Sequence, residues 1–237
     1  MFFDTQNKLI AEIYDNQNQK VLINLTSGTK IMSLACLQAA QGRDVELVYV
    51  STQTNELLFF HPTSARESKQ TIKLAISCKQ YFGAHGFDAN SNPNFSNPYP
   101  PNTPPKSGDE LEEQVYVSLK ESGLFDDVQR NLFIRRSMGK EDSVVNEFDV
   151  LATYNGNMAI CSCKSGKVDK QNRYIYELSA LTSRELAGIY CQRFLISSQA
   201  DRNIPDGLKN RAQTNRVKII GQEQLPNVAD IIFKSLK

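Results

Sequence analysis

Apolar and polar positions follow two rhythms along this chain, and the rhythm changes from segment to segment. Short apolar runs at 9–14 and 21–25, with a polar turn at 16–19 between them, predict strands. Thr26-Ser27-Gly28-Thr29 is a turn. Over 30–41, Ile31, Leu34, Ala35 and Ala39 recur at helical spacing, and Gly42 ends the pattern. Further strands are predicted at 45–50, 57–60 and 71–76. In the back half, Ser107 or Asp109 caps a helix whose stripe is Leu111, Val115 and Leu119, closed by Gly123. Strands follow at 128–134, 144–153 and 158–164, the last two joined by Asn155-Gly156, a strong two-residue hairpin signal. A helix over 174–187, a strand at 190–197, a helix, a strand at 217–220 and a helix near 222–235 complete the pattern. Strand and helix in alternation predict the α/β class.

Composition divides this pattern in two. Residues 83–107 hold six of the nine prolines and five asparagines, which excludes a helix or a central strand and predicts a linker. The expected parts are therefore 1–82, the linker 83–107, and 108–237. Charge is balanced, 27 Lys+Arg against 26 Asp+Glu over 237 residues, so no global field marks a nucleic-acid binder or a disordered chain. No apolar run approaches the ~20 residues that span a bilayer, so no membrane partner is expected. Five scattered cysteines do not form a disulfide framework and fit a reducing, cytoplasmic setting. With two histidines, a His-rich metal site is not expected.

The hairpin concentrates the candidate chemistry. A two-residue loop at Asn155-Gly156 places Asp149 opposite Ser162 and Glu147 opposite Lys164, with all four on one face. Phe148, Val150, Cys161 and Cys163 are then expected on the other, apolar face. A carboxylate beside a lysine can hold Mg²⁺ or Mn²⁺, and the lysine can steady charge on a phosphate. The same cluster can equally be a cross-strand ion pair between Glu147 and Lys164. Cys161-x-Cys163 has no further ligands placed to complete a zinc site and reads as two buried small residues. Arg130, Arg135, Arg136 and Lys140, and also Arg202, Lys209, Arg211, Arg216 and Lys218, read either as solvated faces or as tracks for a nucleic-acid backbone. Gln171, Tyr174 and Tyr176 follow the lysine strand, where a tyrosine can stack on a base or pack at the rim.

In this order of elements, Gly108-x-x-x-Glu112-x-x-Val115, Asn146-Glu147-Phe148-Asp149-Val150 and Cys161-Ser162-Cys163-Lys164-Ser165-Gly166 resemble the core of the PD-(D/E)xK nucleases. The resemblance implies a restriction-endonuclease-like α/β core with a mixed sheet and metal-dependent hydrolysis of phosphodiester bonds in RNA or DNA. It implies catalytic roles for Glu112, Glu147, Asp149, Ser162 and Lys164, with Asp149, Glu112 and Glu147 as ligands of Mg²⁺ or Mn²⁺. Ser162 stands where that family carries glutamate; a hydroxyl is the weaker ligand for a hard cation. The alternative is a degenerate, non-catalytic module that senses nucleotide or binds nucleic acid.

Asn24-Leu25-Thr26-Ser27-Gly28-Thr29-Lys30-Ile31-Met32 lies at a strand-to-helix junction, where backbone N–H groups favour phosphate; it lacks the spacing of a P-loop, and from spacing alone it reads equally as a plain strand–helix turn. With Val48-Tyr49-Val50-Ser51-Thr52 it resembles the CARF domains, Rossmann-like sensors of type III CRISPR defence. That resemblance implies binding of cyclic oligoadenylate by Thr26, Ser27, Gly28, Thr29 and Lys30 across a homodimer. Ser27 replaces a glycine of the family pattern, and only 23 residues precede Asn24, fewer than the family carries. Together the two resemblances imply a CRISPR-associated effector with a shortened CARF-like sensor and a C-terminal nuclease.

Overall fold

The computed structural model describes residues 8, 20–64, 67–91, 109–136, 146–166 and 172–237. Two compact units divide between Lys73 and Leu74. The strand expected at 9–14, its turn, and residues 92–107 of the expected linker lie outside the described residues.

The N-terminal unit is a four-stranded sheet in the order β1 (Val21–Asn24), β2 (Val45–Ser51), β3 (Glu56–Phe60), β4 (Glu67–Thr71). Strands β1 and β2 are parallel and joined through helix α1 (Lys30–Ala40); β3 and β4 add antiparallel. Its core is small: Ala40, Val45 and Leu47, with Val21, Ile23, Leu25, Leu37 and Phe60 against them. A strand at 71–76 was expected. The strand instead ends at Thr71, and 72–77 carries no regular element before the next helix.

The C-terminal unit is a six-stranded mixed sheet layered by helices on both faces. Its elements are α2 (Cys78–Ala84), β5 (Phe87–Asn90), α3 (Asp109–Glu121), β6 (Asp127–Arg136), β7 (Asn146–Tyr154), β8 (Asn157–Lys164), α4 (Asn172–Leu181), α5 (Arg184–Ala187), β9 (Gln192–Ser197), α6 (Asp206–Thr214), β10 (Val217–Ile220) and α7 (Val228–Leu236). The strand order is β10-β9-β8-β7-β6-β5, antiparallel from β5 to β8 and parallel from β8 to β10. One apolar layer joins the sheet to α2, α4 and α6 through Phe82, Ile175, Leu178 and Leu208. The other joins it to α3 and α7 through Leu111, Val115, Leu119, Val228 and Ile232. The stripe expected on α3 is thus its buried face.

Residues 83–91, expected as linker, are folded here. Helix α2 buries Cys78, Tyr81 and Phe82 in the first layer, and β5 pairs with β6 as the edge strand. Ser77 and Gln80 close a capping box at the start of α2, with Ser77 N donating to Gln80 Oε1 (2.8 Å) and Gln80 N to Ser77 Oγ (3.2 Å). The Tyr81 hydroxyl donates to the Ala187 carbonyl (2.8 Å), and Thr153 Oγ1 to the Ile76 carbonyl (2.6 Å). The helix expected over 174–187 is two helices, α4 and α5, with Ser183 at the junction.

Candidate active site

The site is built where β7 leaves its neighbours. The hairpin has the expected register, Tyr154↔Asn157 through Val150↔Cys161, with Asn155 and Gly156 both at positive φ (47° and 78°) as a two-residue turn of this type requires. Beyond Val150 the β7–β8 ladder stops. On the other side, β6 pairs with β7 at Arg130↔Val150 and Leu132↔Phe148, and among the described residues Asn131 and Asp149 between them do not pair. Asn131 has φ 50°, and its Oδ1 is buried without a hydrogen-bond partner among the described residues.

This break shifts the phase of both strands. Val150 and Ala152 lie in the layer under α3 and α7, whereas Phe148 lies in the layer under α2 and α4, stacked on Phe82 (centroids 5.5 Å, planes at 11°). In β6 the same exchange separates Val128 from Leu132 and Ile134. Phe148 was expected to share a face with Val150, Cys161 and Cys163. Strict two-residue alternation fails at Asp149, so it does not. Strand β8 keeps its alternation, with Cys161 and Cys163 in one layer and Met158 and Ile160 in the other.

Into the opening projects the Asp149 carboxylate. Its Oδ2 accepts from Cys163 N (2.7 Å), Lys164 Nζ (3.0 Å) and Ser162 Oγ (3.3 Å). None of these bonds uses Oδ1. The Asp149 side chain is 18% exposed and that of Lys164 29%, so the pair is partly desolvated. Burial works to lower the Lys164 pKa. The charge and hydrogen bond of Asp149, with Cys163 and Glu112 adding, outweigh it and hold the ammonium above its ordinary value. The ring of Tyr174 lies 5.5 Å from Lys164 Nζ. Burial pushes the Cys161 and Cys163 thiols well up, which suits small buried residues rather than metal-binding thiolates.

Glu147 lines the same small cavity, of about 60 Å³, together with Asp149, Ser162, Lys164, Tyr174 and Glu177. The ion pair formed by Lys164 is with Asp149, not the cross-strand pair with Glu147 that the register suggested, because the ladder ends before Glu147. Glu112, one residue past the buried Leu111 on α3, is close enough to act on the charge of Lys164. Glu177 was not singled out from the sequence; its only signal is helical spacing from Tyr174. Beside Lys164 a larger, mostly polar cleft of about 530 Å³ opens between α3 and the β9–β10 end, lined by Glu110, Gln114, Ser165, Ser198 and Gln222. Among the described residues, no three Asp, Glu, His or Cys side chains form a ready cage for a metal. Mg²⁺ needs less, one or two carboxylates with water filling the rest. Asp149 Oδ1 and the neighbouring Glu147 fit that requirement.

Four residues of the basic stretches have local partners. Arg130 pairs with Glu113, Arg135 with Asp88 (3.6 Å) and Lys209 with Asp206 (3.8 Å), and Lys218 donates to Ser235 (2.8 Å). Lys140 and Gln171 lie outside the described residues, and Tyr176 is exposed.

In the N-terminal unit the loop from Asn24 to Lys30 is stitched to its own sheet. Thr26 N donates to Asn24 Oδ1 (2.9 Å), and Val50 N on β2 donates to Thr26 Oγ1 (2.7 Å). Thr29 caps α1 by accepting from Met32 N (3.3 Å), and Ser33 Oγ donates to the Leu25 carbonyl (3.1 Å). Gly28 has φ 98°, a left-handed conformation that disfavours a side chain. All five expected ligand contacts, Thr26 to Lys30, are exposed at one loop, though the Thr26 and Thr29 hydroxyls are already engaged in shaping it.

Residues 105–236, more than half of the chain, match the family model described as Card1-like, endonuclease domain. The chain belongs to this Card1-like family. Residues 1–81 of the Card1-like chain match a second model, the Card1 CARF domain. A CARF sensor segment is therefore joined to an endonuclease domain, as the motifs implied. The model limits at 81 and 105 frame the Pro/Asn-rich segment, while packing places residues from Leu74 onward with the endonuclease unit. Protein VC1899 from Vibrio cholerae shares the fold at TM-score 0.77 and 14% identity, covering 98% of this chain and 80% of that one. Can2 from Sulfobacillus thermosulfidooxidans, solved in complex with cyclic tetra-adenylate, does so at TM-score 0.73 and 20% identity, covering 100% of this chain and 80% of that one. At these identities the likeness is one of fold. No curated protein sequence matches the Card1-like chain. No helix among its described residues is long and apolar enough to cross a membrane.

Proposed function

We propose that this Card1-like chain is a divalent-metal-dependent endonuclease, working as a homodimer and switched on by cyclic oligoadenylate at the Asn24–Lys30 loop. The observation that carries the catalytic part is the convergence of Ser162, Cys163 N and Lys164 on one oxygen of Asp149, at a break in the sheet inside the endonuclease domain. Such a clamp fixes the carboxylate against rotation without using its second oxygen. Mg²⁺ or Mn²⁺ held by Asp149 with Glu147, and with Glu112 nearby, would supply Lewis-acid polarisation of the scissile phosphate. Lys164, kept protonated, stands ready to neutralise charge that develops on the phosphate oxygens. Ser162 donates to Asp149 and so orients it. Hydrolysis adds the oxygen of water to phosphorus and releases the sugar oxygen as a hydroxyl. The polar cleft of about 530 Å³, lined in part by Ser165 next to Lys164, offers a place for a nucleic-acid strand near the site.

For the sensor part, three features support a phosphate-bearing ligand. The loop opens onto the N-terminus of the 11-residue α1, Gly28 allows close backbone approach, and Lys30 adds charge at the same exposed place. Can2, of the same fold, holds cyclic tetra-adenylate.

The experiment is cleavage of labelled RNA, single-stranded DNA and duplex DNA in Mg²⁺ or Mn²⁺, with and without cyclic tetra-adenylate. Cleavage by wild type that Lys164→Ala abolishes and Lys30→Ala uncouples from the nucleotide is expected. Equal behaviour of wild type and Lys164→Ala removes the hydrolytic reading. The serine at 162 favours one rival, a non-catalytic binding module, which would bind nucleotide or nucleic acid in the same assay and cut nothing.

A further inference from the structure

The carboxylate missing at position 162 has a neighbour on another element. Helix α4 lies over the cavity that holds Asp149, Ser162 and Lys164, and its register there is fixed from both sides. Ile175 and Leu178 are buried in the layer beneath it, and the ring of Tyr174 sits 5.5 Å from Lys164 Nζ. Glu177 is one residue before Leu178 and three after Tyr174, so it follows Tyr174 along the same wall, about one helical turn on. It lines the same cavity as Asp149, Glu147 and Ser162. Among the described residues no hydrogen bond or ion pair engages its carboxylate. The lining that offers a hydroxyl at 162 thus also carries an exposed, uncommitted acid from α4.

We propose that Glu177 is a further metal-binding carboxylate of the site, beside Asp149 and Glu147, taking over from helix α4 the role that Ser162 on β8 is chemically too weak to fill. The site is then Asp149 and Glu147 from the broken strand, Glu177 from the helix and Lys164 from β8. Ser162 serves only to orient Asp149. The hard-cation preference for carboxylate over hydroxyl oxygen gives the reason that an acid is needed, and the shared cavity gives the place from which it comes. This inference rests on the metal-dependent reading of the Asp149 site and goes beyond it in naming the ligand set.

The test measures Mn²⁺ binding to the full chain directly, by calorimetry and by the loss of the free-ion electron paramagnetic resonance signal. Cleavage in the presence of cyclic tetra-adenylate is a second readout, and the melting temperature is a control. Glu177→Gln should weaken Mn²⁺ binding at least about tenfold, the low end of what outer-sphere changes cost, and slow cleavage in step. Its melting temperature should stay at that of wild type. Adding Ser162→Glu to Glu177→Gln should restore both binding and cleavage, because the two positions face one cavity. A purely structural glutamate would not be rescued this way. Unchanged Mn²⁺ affinity in Glu177→Gln, with affinity lost in Asp149→Asn, overturns the proposal and leaves the metal-dependent reading standing. A loss accompanied by a lowered melting temperature and no rescue also overturns it, since that is a packing defect. If wild type takes up no Mn²⁺ and Asp149→Asn is indistinguishable from it, the metal reading itself has failed and this proposal with it.

Discussion

Removal of the Asp149 carboxylate should weaken the fold as well as the chemistry, and the two effects can be separated. Its Oδ2 is the acceptor for the main-chain N–H of Cys163, a residue 5% exposed, and the counter-charge of Lys164. Asp149→Ala leaves that N–H without an acceptor, at a cost of about 1–3 kcal/mol. Loss of the partly exposed ion pair adds about 1 kcal/mol. The sum, roughly 2–4 kcal/mol, lowers the melting temperature by on the order of 5–15 °C at about 2–4 °C per kcal/mol. Asp149→Asn keeps an oxygen for Cys163 N and loses mainly the charge, so it should lose less than half as much. Both variants should be inactive. Calorimetric melts of the full chain, beside cleavage assays of the same preparations, give the comparison. An Asp149→Ala protein that melts at or above the wild-type temperature would refute the reasoning, because the carboxylate would then be a strained catalytic group rather than an anchored one.

Phe148→Ala should cost about 3–5 kcal/mol, the range for a large buried aromatic, since Phe148 is 3% exposed and stacked on Phe82; a urea melt with a shift under 1 kcal/mol would contradict its placement in that layer. Gly28→Ala should destabilise the N-terminal unit by about 1–2 kcal/mol through its left-handed backbone, with the new Cβ only 3.1 Å from Met32 Sδ, and weaken cyclic tetra-adenylate binding in a titration. The pH dependence of the Lys164 pairing has a defined sign. Because the folded pKa is raised, its stabilisation is complete below the ordinary lysine pKa of about 10.4 and fades only as pH climbs through the higher folded value. The melting difference between wild type and Lys164→Met should therefore be flat from pH 7 to about 10 and shrink above it.

Much of the endonuclease unit was legible because its signals are local. Asn155-Gly156 determined the hairpin register, and Leu111, Val115 and Leu119 marked the buried stripe of α3. From register alone Asp149, Ser162 and Lys164 were placed together, and they are. The phase change at Asp149 was not legible, since it depends on a matching break at Asn131 in a strand that only the tertiary pairing brings alongside. Helix α2 was missed for a different reason. Ser77 and Gln80 spell a capping box, but Gly83, Gly86 and the prolines beyond outweighed it, and the pattern of a helix buried by Cys78, Tyr81 and Phe82 was too short to stand out. Glu177 carries no motif at all; only the packing of Ile175 and Leu178 turns it toward the cavity.

The exchange of layers at Asp149 means that the residue before it is tied to one hydrophobic stratum and the residue after it to the other. Repacking beneath α4 pulls on this carboxylate through Phe148, and repacking beneath α3 and α7 pulls on it through Val150. Selection acting on either stratum, for heat tolerance or for any other cause, therefore reaches the Asp149 oxygens, and on the role proposed for them a lineage can retune its cutting rate by changing residues that never meet the nucleic acid.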